Sequence, residues 1–354
     1  MKKVSIIISC FNASEWLWDA FNSLKNQTMG IDDLECIFID DASTDDGKTW
    51  GVLTEIEKEA PESVMLIHLD ENMRQGGARN IGMQYMTGKY MLFLDADDMY
   101  RPETCQELYD LAEKYDADMI QFDHDIVWRD MGDNSFPPRE DDEDSVFVSF
   151  DEDDNRRPML SGETGDFGCT NKIYRTDLIR RSEASFAEHK VYEEPKFVYP
   201  QFLYARNILY ITTKYYIYRK HEGSTMTSLL GDRLLEHPKV QLELQEYLIA
   251  REALYQKYRQ EIEYHFLYSF YEETIVFSVV NKGLLPLPFF KEMQRICKSL
   301  VPDPDRNKYI AEDLILKEAM EALDISFENQ DELNTYIFAF VKKYLTIFVS
   351  GIDQ

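Results

Sequence analysis

The feature that most constrains the fold is a regular alternation of strand-like and helix-like segments over the first 123 residues. The chain opens with the β-branched run VSIIIS (Val4–Ser9), as expected of a buried parallel strand. The next segment places Leu17, Phe21 and Leu24 on one helical face. The pattern repeats as far as DMIQFD, at Asp118–Asp123. Such alternation predicts an α/β fold, with a mostly parallel sheet flanked by helices on both faces.

After this series the chain divides into regions of different character. Residues 128–161 are predicted to be an acidic insertion, because they contain REDDEDSVFVSFDEDD, which is typical of a solvated loop or hairpin. Order then returns, and residues 229–354 are mainly helical. The sequence thus predicts one domain at 1–228 and a helical domain after it. The last predicted helix, Leu333–Val349, is apolar nearly all round, so we expect it to be buried against its own domain or another subunit.

Charge and cysteine usage limit the classes of partner. The formal net charge is −28 at pH 7, which disfavours nucleic acid and anionic membrane surfaces. The five cysteines are scattered and form no C-x-x-C pair, which favours a reducing cytoplasm and argues against zinc. No apolar signal follows Met1, and lysines interrupt the apolar stretch Tyr336–Ile352, so we expect no transmembrane segment. We expect a cytoplasmic protein, either free or peripheral at the inner face of the membrane.

Polar segments follow or connect the predicted strands. SCFN follows the first strand, DDASTDD the second and DADD the fourth, while GGARNIG connects the third strand to the fourth. In an open parallel sheet, ligands bind beyond the carboxyl ends of the strands. We therefore expect these four segments to converge on one site.

Three carboxylates, those of Asp95, Asp97 and Asp98, end the apolar run YMLFLD within the motif FLDADD. Like charges in a partly buried place are costly unless a cation or a partner offsets them. Asp95 and Asp97 suit Mg²⁺ or Mn²⁺, which take one or two carboxylates and leave other positions to water and phosphate oxygens. A lone D-x-D is more often a cap or a solvated turn, but its place at the ligand edge favours metal binding. Asp98 either joins the metal site or caps the turn that follows.

Other side chains at the same edge have two interpretations each. Asp41 can accept hydrogen bonds from a ribose or a base, or it can form a turn with its neighbours. Arg79 can bind phosphate in a bidentate way, or it can form a surface ion pair. Asp123 and His124 end the fifth strand and either border an acceptor site or make ordinary strand-end hydrogen bonds. Trp128 either stacks on a sugar ring or packs the insertion onto the core.

Taken in order, these motifs resemble those of the family 2 glycosyltransferases. The family pattern runs roughly SIIIPxYN, VDDGSTD, NxGxxxARNxG and YixFLDxDD; this chain has SIIISCFN, IDDASTD, NMRQGGARNIG and YMLFLDADD at similar intervals. The resemblance covers about the first third of the chain. Three loop positions depart from it: Ser9 replaces the usual Pro, Ala42 replaces Gly, and Arg74 lies about where a Gly is common. The resemblance implies the GT-A fold, a Rossmann-like nucleotide-sugar fold.

The resemblance also implies roles for individual residues. Asp41 would hold the base, and Arg79 would approach the base or the diphosphate. Asp95 would face the ribose or the metal, and Asp97 would bind the metal directly. Residues of the first loop would line the nucleotide pocket: Ser9, Cys10, Phe11 and Asn12. Members of this family invert the anomeric centre, with a carboxylate as general base and a metal that neutralises the leaving diphosphate.

The general base is the point at which this chain departs most from the family. The family usually follows NKlyrrdlI with a patch like YEDxxF, and this chain has TNKIYRTDLI and then HKVYEEPKF. Glu194 occupies the position of the family's Asp, and Glu193 precedes it. Three interpretations stay open: Glu194 is the base, Glu193 is the base, or the site is weak or inactive. We favour Glu194, because the carboxylate is kept although its side chain is one methylene longer.

The segment YYIYRKHEGSTM resembles the family stretch in which an Arg and a Ser close over the diphosphate. Arg219 and Ser224 match those positions, so Arg219 would stabilise the charge of the leaving group. His221 is either a further metal or phosphate contact or a histidine satisfied by its surroundings.

The sequence therefore predicts a metal-dependent (Mn²⁺ or Mg²⁺) inverting glycosyltransferase. The donor would be a nucleotide-diphosphate sugar, most simply a UDP-linked hexose or N-acetylhexosamine. The acceptor would be a hydroxyl of a surface glycan, wall polymer or glycoprotein, and the helical domain would serve as an oligomer interface or acceptor lobe. The main alternative is a non-catalytic nucleotide-sugar-binding or scaffold subunit. A nucleotidyltransferase is disfavoured, because SCFNASEW has neither the Gly nor the Lys of a phosphate loop.

Overall fold

The computed structural model describes residues 2–128, 136–138, 145–151, 155–221, 232–280 and 285–352, with side chains up to Tyr344 in the last helix. Contacts divide the chain into two compact units. The first, called here the sheet unit, comprises Met1–Arg156 and Phe167–Ser224. The second, called the helical unit, comprises Arg157–Asp166 and Thr225–Gln354.

The sheet unit contains a nine-stranded mixed sheet in the order β3-β2-β1-β4-β8-β6-β9-β5, with β7 paired to β9. The pairs β1–β2, β1–β4, β2–β3 and β6–β9 are parallel, and the pairs made by β8, β5 and β7 are antiparallel. The strands are β1 (Val4–Cys10), β2 (Leu34–Asp40), β3 (Val64–His68), β4 (Tyr90–Asp95), β5 (Met99–Tyr100), β6 (Met119–Trp128), β7 (Ser145–Ser149), β8 (Lys172–Arg175) and β9 (Asn207–Lys220).

Helices cover the sheet as the alternation predicts. The helices of this unit are α1 (Leu17–Lys25), α2 (Lys48–Glu59), α3 (Arg74–Tyr85), α4 (Thr104–Tyr115), α6 (Thr176–Ser182) and α7 (Glu194–Tyr204), and α5 (Arg157–Ser161) belongs to the helical unit. Every residue of β1 and β2 is buried, as in a parallel sheet with both faces covered. On α1 the predicted face of Leu17, Phe21 and Leu24 is fully buried in the core. The predicted α/β class is thus confirmed.

The helical unit also contains the helices α8 (Glu236–Ile249), α9 (Glu252–Lys257), α10 (Arg259–Phe266), α11 (Glu273–Val280), α12 (Leu287–Leu300), α13 (Lys308–Glu312), α14 (Leu314–Glu321) and α15 (Gln330–Ile352). A π-helix at Leu267–Glu272 connects α10 to α11. Apolar side chains of these elements form a core of their own, separate from the core of the sheet. Among the described residues, none of the helices combines the length and apolar character needed to cross a membrane.

Two sequence expectations can be compared with the described residues. Residues 128–161 were expected to be an acidic insertion with a loop or hairpin; within the described part β7 pairs with β9, and α5 lies in the helical unit, where Arg157 binds Glu261 at 2.8 Å. The last predicted helix was expected to be buried against its own domain or another subunit, and one side of α15 is buried in the helical unit. Leu333 and Ile337 lie in the core, whereas Phe338 is 60% exposed, because only one side of the helix packs on the rest of the unit.

Candidate active site

Helix α3 approaches the sheet closely because glycines replace side chains on its inner face. A Cβ atom at Gly82 would lie 2.6 Å from a methyl group of Ile7 and 2.8 Å from a methyl group of Ile39. At Gly76 a Cβ atom would lie 2.3 Å from the carbonyl oxygen of Ala187. The motif GGARNIG therefore brings α3 onto β1 and β2, with Arg79 on its inner face.

Arg79 bridges two carboxylates from distant parts of the chain. It is 3% exposed, and its two terminal nitrogens donate to Glu193 at 2.7 Å and to Asp95 at 2.8 Å. Its guanidinium also lies 5.3 Å from the ring centroid of Phe186 and 5.8 Å from that of Phe93. The ion pair that the sequence left open is thus present but buried and not on the surface, and contact of Arg79 with phosphate stays a prediction. It holds the end of β4 against the segment that begins α7.

The carboxylates of FLDADD point in different directions, because the chain turns after β4. The amide of Asp98 donates to the carbonyl of Asp95 at 3.1 Å, which forms the turn. Asp97 lies at the turn and its Oδ2 is 2.8 Å from Nε2 of His221. Burial, reinforced by the neighbouring charge of Asp95, raises the pKa of Asp97, although the hydrogen bond with His221 opposes this. Asp95 and Asp97 therefore form an electronegative pair at the carboxyl edge of the sheet.

The side chain of Asp98 binds β9 and does not cap the turn or helix that follows it. It is 1% exposed, and it accepts hydrogen bonds from the hydroxyl of Tyr216 at 2.5 Å and from the amide of Arg219 at 2.7 Å. Burial, followed by the charges of Asp97 and Asp95, raises its pKa well above the usual range. Asp98 thus fixes the end of β9 beside the turn and does not face an open site.

Asp41 lies at the carboxyl end of β2 and is 2% exposed. Its Oδ1 accepts from the amide of Met73 at 2.7 Å, and its carbonyl accepts from the side chain of Asn72 at 3.0 Å. Burial raises its pKa, and the hydrogen bond from Met73 opposes that effect. Asp41 therefore ties the loop after β2 to the start of α3, at the edge where the base of a nucleotide is expected.

The first loop contains both buried and accessible candidates. Ser9 is buried with no hydrogen-bond partner at its hydroxyl, and Cys10 is 1% exposed, so burial raises the pKa of its thiol. Phe11, by contrast, is 47% exposed. Asn12 adopts φ +53° and its amide group exchanges hydrogen bonds with Thr44, at 2.7 and 3.2 Å. Of these four, Phe11 and Asn12 present accessible surface in this conformation.

Two of the three departures from the family motifs lie at positions with left-handed backbone. Ala42 has φ +53° and Arg74 has φ +60°, where the family commonly has glycine. Side chains other than glycine adopt this region at a cost on the order of 1 kcal/mol. The backbone path typical of a glycine is therefore kept at both positions, and the loops carry the strain.

The two glutamates before α7 have different environments. Glu193 is 5% exposed and bound to Arg79, and burial raises its pKa to about 7 although Arg79 favours the charged form. Glu194 is half-buried, and its Oε1 accepts from the amide of Cys169 at 2.9 Å. Of the pair, Glu194 is the more accessible and the less constrained by an ion pair.

Arg219 projects toward α1. One terminal nitrogen donates to Asp19 at 2.8 Å, and its guanidinium lies 5.0 Å from the ring centroid of Trp16. The same indole stacks on His221 with ring centroids 4.8 Å apart. Arg219 is thus held by Asp19 and Trp16 in this conformation, and its contact with a diphosphate stays a prediction. The predicted partner Ser224 lies outside the described residues.

Asp123 is placed farther from this group, on β6. Its side chain is 52% exposed and lies 3.5 Å from the ring nitrogen of His124, at an irregularity in the pairing with β9. The expectation that Asp123 and His124 end their strand is wrong, because β6 continues to Trp128; Asp123 accepts from the amide of His124 at 2.7 Å where the pairing is irregular.

Sequence reasoning missed several residues that complete the site. Asp19 and Trp16 were considered only as part of an amphipathic helix, and Tyr216 only as part of an apolar strand. Cys169, whose amide binds Glu194, carries no motif at all. Trp16 and Asp19 were the detectable ones, since both lie at the start of α1, next to the loop that follows the first strand.

A divalent cation fits this donor set. Within the described residues, no group of three His, Cys, Asp or Glu side chains is arranged to hold a metal. Mg²⁺ and Mn²⁺, however, need only one or two carboxylates when phosphate oxygens and water complete the shell. Burial, and after it the charge of Asp95, raises the pKa of Asp97, and a cation bound there would favour the charged form of both carboxylates.

The mixed sheet, the polar edge at its strand ends and the helix that begins at the paired glutamates are the features expected of the GT-A fold. The family model described as glycosyl transferase family 2 matches residues 5–182. This range is half of the chain, and the chain belongs to that family.

Individual relatives agree with the family assignment. EpsH of Bacillus subtilis, described as a putative glycosyltransferase, is 24% identical over 263 residues, 73% of each chain. An uncharacterised glycosyltransferase of Nostoc sp. is 35% identical over 125 residues, which are 35% of this chain and 37% of the relative. The poly(ribitol-phosphate) β-N-acetylglucosaminyltransferase TarP of Staphylococcus aureus is 36% identical over 121 residues, which are 34% of this chain and 36% of TarP. The chain thus spans little more than a third of the length of two of these relatives.

A solved structure has the same fold. Residues 1–349 of TarS from S. aureus, in complex with UDP-GlcNAc, superimpose with a TM-score of 0.68 at 20% identity. The match covers 91% of this chain and 88% of that one. The likeness confirms the predicted fold, including a helical region after the sheet.

Proposed function

We propose that this protein is a metal-dependent inverting glycosyltransferase that uses a nucleotide-diphosphate sugar. One observation carries the proposal, namely a connected group of polar side chains at the ligand edge of a GT-A sheet. Arg79 links Glu193 to Asp95. Asp97 and His221 lie beside them. The ion pairs of Arg79 with Glu193 and Asp95 do not account for Asp97, a further carboxylate at the same edge whose pKa is raised.

Glu194 is the proposed general base. Its carboxylate takes the proton of an acceptor hydroxyl, the acceptor oxygen attacks the anomeric carbon, and the bond to the diphosphate breaks with inversion. The hydrogen bond from the amide of Cys169 to Oε1 would orient this carboxylate toward the acceptor. Glu193 is less suited, because Arg79 occupies it in the interior.

Asp97 is the proposed metal ligand, with Asp95 as the second carboxylate. When bound, Mn²⁺ or Mg²⁺ would neutralise charge on the leaving diphosphate. His221 is bonded to Asp97 and stacked on Trp16, so it can orient that carboxylate. Asp41 and the exposed Phe11 and Asn12 would hold the base and ribose.

The relatives guide the choice of donor and acceptor. TarS is described in complex with UDP and with UDP-GlcNAc, which supports a UDP-sugar donor here. TarP and TarS are named as enzymes that modify poly(ribitol phosphate), which supports a hydroxyl of a wall polymer or another surface glycan as acceptor.

A screen of nucleotide-sugars tests the proposal. Purified full-length protein with Mn²⁺ is expected to show a raised melting temperature with at least one UDP-, GDP- or dTDP-sugar and to release its nucleotide diphosphate. Asp97→Ala should abolish the metal-dependent shift, whereas Asp110→Ala, an exposed carboxylate on α4, should leave it unchanged. If no nucleotide-sugar is bound or hydrolysed, the proposal fails. Binding without turnover on any acceptor would favour the non-catalytic subunit instead.

A further inference from the structure

The carboxyl halves of β6 and β9 expose apolar side chains. Ile126 is 50% exposed and Trp128 is 67% exposed, and both lie on one face of β6 because side chains alternate along a strand. The two residues are separated by about 6.6 Å along the strand. Exposed apolar side chains that lie next to each other often mark a binding site for a ligand or a partner.

The neighbouring strand extends this face. The parallel register pairs Ile126 with Tyr218 and Trp128 with Lys220. The amino group of Lys220 lies 5.8 Å from the ring centroid of Trp128. These four residues form a strip of apolar surface with one cation at its end, and we call it the β6–β9 platform.

The platform continues directly from the candidate active site. Tyr216 lies on the same face of β9 two residues before Tyr218, and its hydroxyl contacts Asp98 and the amide of Asp95. At the other end, the residue after Lys220 is His221, which is bonded to Asp97. A molecule seated on the platform would therefore lie on the strand that also contributes Tyr216 and His221 to the candidate site.

We propose that the β6–β9 platform binds a pyranose ring of the acceptor glycan; this rests on the proposed function. The apolar C–H face of a pyranose matches an exposed indole and the methyl groups of Ile126. The amino group of Lys220 can donate hydrogen bonds to the ring hydroxyls. An acyclic polyol phosphate offers no such face, and the net charge of −28 repels a polyanion. The acceptor class assigned here is thus a pyranose-containing glycan, and not the poly(ribitol phosphate) named for TarP and TarS.

Glycan binding tests the platform without turnover. The full-length protein is titrated by saturation-transfer NMR with cellopentaose, chitopentaose and a poly(ribitol phosphate) oligomer, in the presence of UDP. We expect at least one of the two sugar oligomers to bind. Trp128→Ala should weaken that binding roughly tenfold or more, as removal of an aromatic anchor does, and Trp128→Phe should retain most of it.

Ile126 has a matched control on the same sheet. Ile126→Ala should weaken glycan binding, whereas Val146→Ala, a 59% exposed branched residue on β7, should leave it unchanged. The shift in melting temperature with UDP and Mn²⁺ should be the same in all these variants, which shows that the donor side is intact. The proposal is overturned if Trp128→Ala binds glycans with full affinity. It is also overturned if the protein binds poly(ribitol phosphate) and neither sugar oligomer. A change of oligomeric mass in Trp128→Ala overturns it as well, because the platform would then be a contact between copies of the chain.

The two failures are distinguishable. If glycans bind on the platform but no nucleotide-sugar is turned over, the proposed function fails and the binding site remains. If donor turnover is intact and the platform variants bind and use glycans normally, the acceptor assignment fails alone.

Discussion

Arg79 sits between Glu193 and Asp95 with almost no exposed surface, so its charge is offset by two carboxylates and not by solvent. Removing one partner of such a group leaves buried charge uncompensated, which is costly. The guanidinium therefore acts as a positioning group that holds the strand with Asp95 and the helix with Glu194 at a fixed separation.

The two glutamates are expected to respond differently to neutralisation. Glu194→Gln should spare donor binding and stability but reduce transfer by at least about a hundredfold, the scale of losing a general base. Glu193→Gln should instead lower the free energy of unfolding by about 2 kcal/mol, because Arg79 loses one charged partner. Urea denaturation and steady-state transfer rates measure both effects. Transfer that survives in Glu194→Gln would place the base elsewhere.

The left-handed residue Ala42 offers a stability prediction. Ala42→Gly is expected to raise the free energy of unfolding by up to about 1 kcal/mol, because glycine adopts φ +53° without steric cost. The matched control is Ala60→Gly, at φ −146°, which should be neutral or destabilising. Chemical denaturation of both variants measures the difference. Equal changes at the two positions would contradict strain at Ala42.

At the scale of elements, the close contact between α3 and the start of α7 is possible because Gly76 has no side chain. A Cβ atom at Gly76 would lie 2.3 Å from the carbonyl of Ala187 and 2.9 Å from Cγ of Glu193. Asn80, one turn further along α3, exchanges hydrogen bonds with the backbone of Phe186 at 2.8 and 3.1 Å. The helix that carries Arg79 and the segment that carries the base are thus positioned as one assembly.

Gly76→Ala should disturb this assembly. We expect a loss of about 1–3 kcal/mol in unfolding free energy, as for overpacking, together with a fall in kcat as Glu194 is displaced. Gly51→Ala is the control: no atom lies within 4 Å of its added Cβ, and alanine favours the helix α2 by up to about 1 kcal/mol. Thermal denaturation and transfer assays compare the two. A Gly76→Ala protein as stable and active as the parent would refute the close contact.

At the scale of the whole molecule, the two units bury different ionisable groups. In the helical unit, burial, with Asp313 and Glu273 nearby, raises the pKa of Glu272 to about 8. Burial raises the pKa of Glu273 to about 7, and a hydrogen bond with Ser269 opposes this rise. Both lie at the junction of the π-helix with α11. The folded state therefore holds protons that the unfolded chain releases above about pH 4.5.

This difference gives a pH dependence of known sign. Because the folded pKa is raised, the contribution of Glu272 is complete below pH 4.5 and is lost as pH rises toward 8. His237 and His265, whose pKa values burial lowers to about 4 and about 3, act oppositely, but only up to about pH 6.5. Between pH 6.5 and 8, therefore, the two histidines no longer change the stability with pH, whereas Glu272 and Glu273 do.

Glu272→Gln should make stability less dependent on pH in that interval. The parent is expected to lose about 1–2 kcal/mol more than the variant between pH 6.5 and 8, since one proton corresponds to 1.36 kcal/mol per pH unit. Urea denaturation at both pH values measures this, and the exposed Glu321→Gln on α14 serves as control. Identical pH dependence in parent and Glu272→Gln would show that Glu272 is ionised in the fold.

How far the sequence predicted this molecule depends on the range of the interaction involved. The alternation of strands and helices, the buried face of α1 and the polar segments at the strand ends follow from local periodicity, and the structure confirms them. The roles of single residues were less predictable. Arginine is a residue type that often binds phosphate. Only the structure shows that Arg79 contacts Glu193, 114 positions away in the sequence, and so positions that segment.

The sequence by itself determined the α/β class, the family and the place of FLDADD at the ligand edge, because periodicity and ordered motifs report which side chains are buried and where strands end. Only the tertiary structure decided that β9 pairs with β6 and brings Tyr216 to Asp98, that α5 joins the helical unit, and that α15 is buried on one side. Burial can be inferred from a pattern, but the partner against which a side chain is buried depends on packing between segments distant in the chain.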